Sequence, residues 1–165
     1  MAARKTIAIV MEDEQIAQRI VNKFSTEQFR ILFVTKNALK FKEVAAGILG
    51  KNQYAEVEII DCPREGCWEA DLILLAAAPA DQEAIADAIR EVAIQKMVIN
   101  IEKTGFKEDQ GRKKLEKLLP YSKVVIAQMN WPFPDIFLSS IDEDALQIAS
   151  EIFGKSGYFN GLGKS

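Results

Sequence analysis

Lys5-Thr6-Ile7-Ala8-Ile9-Val10-Met11-Glu12-Asp13-Glu14-Gln15-Ile16 carries the pattern that sets the architecture of the chain. Thr6–Val10 is apolar at every position after its first, the pattern of a strand buried on both faces, as in the middle of a parallel sheet. Ile16, Ala17, Ile20, Val21 and Phe24 then share one helical stripe, so the spacing predicts a helix from about Asp13 to Ser25 with one side on the sheet. A doubly buried strand that passes through a short acidic turn into an amphipathic helix is a βα unit. A chain of such units folds as a doubly wound α/β domain, with a mainly parallel sheet between two helix layers.

The unit recurs. Phe29–Val34 reads as a second strand, and Leu39–Leu49 as a second helix with Gly50 as its C-terminal cap. Val57–Ile60 is a third strand, after which Asp61-Cys62-Pro63 turns the chain into a short helical segment around Trp68. Asp71–Ala76 is the most apolar strand and is expected near the sheet centre. A helix with Ile85, Ala88, Ile89 and Val92 on one stripe follows, and then a fifth strand, Met97–Ile101. After a polar stretch, Glu102–Gln110, come a helix over Arg112–Leu119 stopped by Pro120 and a sixth strand at Lys123–Ala127. Trp131-Pro132-Phe133-Pro134 works against regular structure. Ile136–Ser139 is a short strand, and Asp142 or Glu143 starts a helix carrying Ala145, Ile148, Ala149 and Ile152 that Gly154 ends. Gly157–Asn160 is expected to add an edge strand.

At 165 residues and 48% hydrophobic content the chain is expected to form one domain over residues 1–165. It has no apolar run of the ~20 residues a membrane span needs and no apolar leader, so a cytoplasmic protein is expected, with no membrane partner. Lysine and arginine total 21 against 24 acids, and no basic block stands out, so nucleic acid is not an expected partner. A small molecule or a protein is, including a second copy of the chain. The sequence has no histidine, which removes Ser-His-Asp and Cys-His catalysis. Without histidine, Cys62 and Cys67 would need carboxylates to complete a zinc site, so they read as reduced thiols and no metal is expected. Any chemistry rests on carboxylates, lysines, tyrosines or a bound cofactor.

Ligands of an open parallel sheet lie beyond the carboxyl ends of the strands, where the connections switch direction. That rule points to Met11–Gln15, Thr35–Ala38 and Ala76–Asp81, with Asn100–Thr104 on the same edge. Glu12, Asp13 and Glu14 place three carboxylates at the start of the first helix, where each acid stabilises the helix by ~0.3–1 kcal/mol with no ligand involved. Thr35-Lys36-Asn37 is a polar turn in which Asn37 can cap the next helix.

Four segments, in this order and spacing, resemble a known family. They are Lys5–Val10, Val34-Thr35-Lys36-Asn37, Asp71–Pro79, and Lys123-Val124-Val125-Ile126-Ala127-Gln128-Met129-Asn130. Together they are similar to the NADP-binding domain of the deazaflavin-dependent NADP reductases and their pyrroline-carboxylate-reductase-like relatives. The family has an arginine where Lys36 stands. Its sixth strand carries a second lysine and a phenylalanine that this chain lacks, and the chain has one residue more there. The resemblance implies a Rossmann-like fold with NADP as cofactor. It implies a site made of Met11, Glu12 and Asp13 at the first turn, Thr35, Lys36 and Asn37 around the adenosine 2′-phosphate, and Ala78 and Pro79 beside the ribose or nicotinamide. No acid stands in the second turn to select NAD.

The first turn departs from the family. Such domains carry G-x-G-x-x-G there, so that the turn is tight, the backbone can meet the pyrophosphate and helix and strand can pack closely. The three positions are Met11, Asp13 and Ile16. A carboxylate ~5 Å from a phosphate at an effective dielectric of ~20 is repulsive by roughly 3 kcal/mol, about two decades of affinity. NADP is therefore expected to bind weakly or not at all, leaving a degenerate domain that acts as a binding module. The alternative is a small NADP-linked oxidoreductase or its cofactor-binding domain. Larger relatives add a helical second domain, so a complete active site is expected to need an interface or a separate protein.

Overall fold

The computed structural model describes residues 4–22, 26–103, 108–129 and 136–153. Its elements, in chain order, are β1 Lys5–Val10, α1 Glu14–Val21, β2 Phe29–Val34, α2 Ala38–Lys51, β3 Val57–Ile60, α3 Pro63–Glu69 and β4 Leu72–Leu75. After them come α4 Gln82–Ile89, β5 Met97–Lys103, α5 Glu108–Leu118, β6 Lys123–Met129, β7 Ile136–Ser139 and α6 Glu143–Phe153. The strands form one sheet in the order β3-β2-β1-β4-β5-β6-β7. All pairs are parallel except β6–β7.

Side chains that alternate along a strand feed two separate cores. Ile7, Ile9 and Met11 of the first strand and its turn point to the face covered by α1, α2 and α6, with Phe33 and Phe41 in edge-to-face contact at 5.3 Å. Ala8 and Val10 point to the opposite face, where Cys67 of α3, Ala86 and Ile89 of α4, and Leu115 of α5 cover the sheet. This is the three-layer, doubly wound arrangement that the strand and helix patterns require, and β1, apolar on both faces, lies inside the sheet.

Asp71 has a structural role at the far end of the sheet from the candidate site. Its carboxylate accepts the Thr6 amide at 2.8 Å while its own amide donates to the Thr6 carbonyl at 2.8 Å, fixing the register of β4 against β1. Gly66 lets α3 lie close to the strands: a Cβ there would stand 2.5 Å from Val34 Cγ2 and 3.0 Å from Ile60 Cδ1.

Several expectations need correction. Gly50 does not cap α2, which continues to Lys51 and stops at Asn52. The Asn52 side chain accepts from the Tyr54 amide and donates to Thr26, holding the chain out of the helix. α1, expected from about Asp13 to Ser25, starts at Glu14 with Asp13 as its N-cap but ends at Val21 with Asn22 as its C-cap, and Phe24 and Ser25 lie outside the described residues. β5 continues to Lys103, and α5 already begins at Glu108, inside the stretch read as polar loop. In α6 Asp142 caps through the Ala145 amide at 2.9 Å. The helix buries Leu146, Ser150 and Phe153 beside Ala145 and Ala149, and leaves Ile148 exposed. Trp131–Pro134, Gly154 and the expected strand at Gly157–Asn160 lie outside the described residues.

Candidate functional site

β1 sits between β2 and β4, so the chain leaves it first to one side and later to the other. In such a sheet the place for a ligand crevice is between the turn after β1 and the turn after β4. Thr35, Lys36 and Asn37 flank it at the end of β2, and Ala78 and Pro79 lie in the turn before α4.

Met11 turns its side chain away from this crevice into the core beneath α1, and its amide donates to the Val34 carbonyl at 3.3 Å. Asp13 is spent on the helix it precedes. Its Oδ1 accepts the Gln15 amide at 3.0 Å and the Ile16 amide at 3.2 Å. Those are the free N–H groups with which a helix start would meet a phosphate.

Glu12 does something the sequence reading did not foresee. Val10 pairs with Val34 in register, so the residues that follow the two strands run side by side. The Glu12 carboxylate reaches across and accepts the Thr35 hydroxyl at 2.8 Å and the Lys36 amide at 3.1 and 3.2 Å. Thr35, itself buried, takes the Asn37 amide on the same Oγ1 at 3.0 Å. Asn37 stands at the N-cap position of α2 but its side chain makes no capping bond, contrary to the plain-turn reading, because the turn is closed by Thr35. Lys36 is exposed. Glu14 comes within 4.0 Å of Lys40, tying the starts of α1 and α2 together. An open depression of about 450 Å³ lies over Glu12–Gln15. A smaller cleft of about 180 Å³ between α1 and α2 involves Val21, Asn22, Ile48 and Lys51, at the helix C-termini, and so lies at the opposite end of the sheet.

Ala78 and Pro79 are exposed, but the turn that carries them is held by polar groups from three elements. Asn100 Oδ1 accepts the Ala77 amide at 3.4 Å, Gln82 Nε2 donates to the Ala77 carbonyl at 3.5 Å and Lys114 donates to the Pro79 carbonyl at 2.9 Å. Asn100 also donates to Glu102 at 3.3 Å. Glu102 is the buried acid among the described residues, and burial raises its pKa against a smaller lowering by the Asn100 amide. Its Oε2 and Gln82 Oε1 are buried with no hydrogen-bond partner among the described residues. Sequence reasoning placed Asn100–Thr104, and so Glu102, on this edge, but did not foresee the burial of Glu102 or the part played by Gln82. The one available signal was a carboxylate continuing the alternation of β5, on the face of Val98 and Asn100.

The sequence matches no family model and no curated protein. Solved structures do match. A pyrroline-5-carboxylate reductase from Coxiella burnetii superposes with a TM-score of 0.71 at 18% identity, over 99% of this chain and 60% of its own. A protein from an Arthrobacter species described as an F420-dependent NADP reductase gives 0.71 at 15% identity, over 94% of this chain and 84% of its own. An imine reductase from Bacillus cereus gives 0.74 at 13% identity, over 96% of this chain and 55% of its own. The fold is that of the Rossmann oxidoreductases. At these identities the likeness carries the architecture, and this Rossmann chain spans just over half the length of two of those enzymes. Among the described residues no helix is long and apolar enough to cross a membrane.

Proposed function

We propose that this Rossmann domain binds NADP(H) weakly or not at all and serves as a binding module rather than as a self-sufficient reductase. The observation that carries this reading is the Glu12 carboxylate on Thr35 Oγ1 and the Lys36 amide, the donors that an adenosine 2′-phosphate would need. Asp13 supports it by taking the helix-start amides that a pyrophosphate would need. The chain thus fills two anion positions of a dinucleotide domain with its own side chains. A phosphate entering either must displace a carboxylate or lie against it, at roughly 3 kcal/mol for a pair ~5 Å apart at an effective dielectric of ~20.

The second reading is a small NADP-linked oxidoreductase or its cofactor-binding domain. It is favoured by the described NADP reductase that this chain covers over 84% of its length. Glu102 would then be the buried acid beside the turn expected at the nicotinamide, and hydride transfer would belong to the cofactor.

Titration calorimetry with NADPH separates the two. The first reading expects no saturable heat at micromolar concentrations. Micromolar or tighter affinity overturns it, and its loss in Lys36→Ala would then establish the second reading's phosphate contact.

A further inference from the structure

β3 closes one edge of the sheet, and among the described residues nothing pairs with its outer side. Its ladder with β2 fixes which backbone groups face outward. The Ile31 amide donates to the Glu56 carbonyl and the Thr35 amide to the Ile60 carbonyl, both at 2.9 Å, with Ile31 opposite Val57 and Phe33 opposite Ile59. In a parallel ladder, alternate residues of a strand turn their N–H and C=O groups toward the same neighbour. Glu56, Glu58 and Ile60 therefore face β2, and the N–H and C=O groups of Val57 and Ile59 point outward. β3 is also little covered. Val57, Ile59 and Ile60 are half-buried and Glu58 is exposed, whereas β7 at the other edge buries three of its four residues. Proteins blunt such edges with lysine, proline or a bulge, and β3 carries none of these.

We propose that the outer edge of β3 accepts an extended segment of a partner protein as an added strand, one in which apolar residues alternate with lysine or arginine. The side chains set this chemistry. Alternation puts Val57 and Ile59 on the α2 side, where both pack against the core. In α2, Lys40 reaches toward Glu14 of α1, and Val44, Gly47 and Lys51 line the cleft against α1. Leu49 lies half a turn from that stripe, which directs it over the β3 edge, and it is 41% exposed. An incoming strand thus finds apolar surface on that side. The other side is acidic. Glu56 and Glu58 each keep 58% of the side chain open to solvent beside Arg4 and Arg30, and exposed Asp61 follows the strand. A second copy of the chain fits worse than a basic segment. An antiparallel pair of β3 strands that uses both outward residues joins Val57 to the other copy's Ile59 and sets Glu58 directly opposite its own counterpart, where like charges are destabilising. The outward groups of β3 take no part in the Glu12 and Asp13 contacts, so the proposal goes beyond the reading of NADP(H) binding and stands apart from it.

Two short capped peptides, one alternating lysine with valine and the other glutamate with valine, test the proposal on the full chain by titration followed in amide NMR spectra. The lysine peptide is expected to shift the amides of Val57 and Ile59 saturably and to slow their hydrogen exchange. It is expected to bind about tenfold or more tightly than the glutamate peptide, the scale of a few cross-strand charge pairs. N-methylation of the lysine peptide is expected to abolish binding on one of its edges, the valines or the lysines, and to spare it on the other, since only one edge of an added strand meets β3. Glu58→Lys is expected to cut the preference between the two peptides to a few-fold at most. No saturable response at Val57 and Ile59, equal affinities for the two peptides, an N-methylation effect that is the same on both edges, an unchanged preference in Glu58→Lys, or self-association of the chain through the β3 amides would each overturn it. Should Glu58→Lys fail to fold, the native chain's preference and the N-methylated peptides decide. NADPH affinity bears on the preceding reading and the peptides on this one, so either can fail alone.

Discussion

Asn100 joins two parts of the crevice edge: one side-chain amide accepts the Ala77 N–H at 3.4 Å and donates to the buried Glu102 carboxyl at 3.3 Å. Burial disfavours the ionised form of Glu102, so its folded-state pKa lies above the ordinary ~4.3. The sign follows from proton linkage. The native chain holds a proton that the unfolded chain has released, so this contribution to stability is full below about pH 4.3 and is lost as pH rises through the raised value. Glu102→Gln cannot ionise. Its melting temperature is expected to match that of the native chain in acid and to exceed it at neutral pH, as read by circular dichroism melts across pH. A variant that melts lower at neutral pH would show that the ionised carboxylate is the stable form.

Gly66 and Gly50 are expected to respond to alanine in opposite directions. At Gly66 the new methyl meets Val34 Cγ2 at 2.5 Å, on a branched side chain that is itself buried in the sheet. Overpacking costs ~1–3 kcal/mol against a helix-propensity gain of up to ~1, so a net loss of about 1–2 kcal/mol is expected. At Gly50, inside α2 with nothing within 4 Å, only the propensity gain remains, up to ~1 kcal/mol. Urea unfolding midpoints of the two variants measure both.

Burial pushes the Cys67 thiol up to about 12, against a smaller downward pull from Lys96. Cys62 is only half-buried. A thiol reagent at about pH 8 is therefore expected to modify one cysteine in the native protein and both in denaturant, with Cys62→Ser abolishing the native reaction. Fast reaction of Cys67 in the folded chain would contradict its burial on the sheet-facing side of α3.

The parts of this fold that could be read from the sequence are those whose apolar residues either run unbroken along a strand or recur on one face of a helix. β1, apolar on both faces, and α1, with Ala17, Ile20 and Val21 buried, follow from residue spacing alone. α6 shows where spacing fails. Ala145 and Ala149 mark the centre of its buried stripe, but Ile148 and Ile152 flank it on one side and Leu146 and Phe153 on the other, and period alone does not choose between them. Glu102 was hidden because its burial comes from packing of distant elements on the end of β5, which no local pattern records. Glu12 was legible in principle. Its partners lie 23 and 24 residues away, and only the in-register pairing of β1 with β2 brings them together.

Lys36→Ala isolates what the exposed ammonium adds at the strand-two end. The Glu12 contacts use the Lys36 amide rather than its side chain, so the variant is expected to keep native stability within ~0.5 kcal/mol in denaturant titrations. A larger loss would mean that the ammonium, too, holds the turn.

A crystal structure of the protein soaked with NADPH shows whether the first turn can hold a dinucleotide. Glu12 is expected to stay on Thr35 and Lys36 and Asp13 on the first turn of α1, with no diphosphate density across the bend between β1 and α1. An intact cofactor lying over that bend, with its 2′-phosphate on Thr35 and Lys36 and Glu12 displaced, would contradict that expectation.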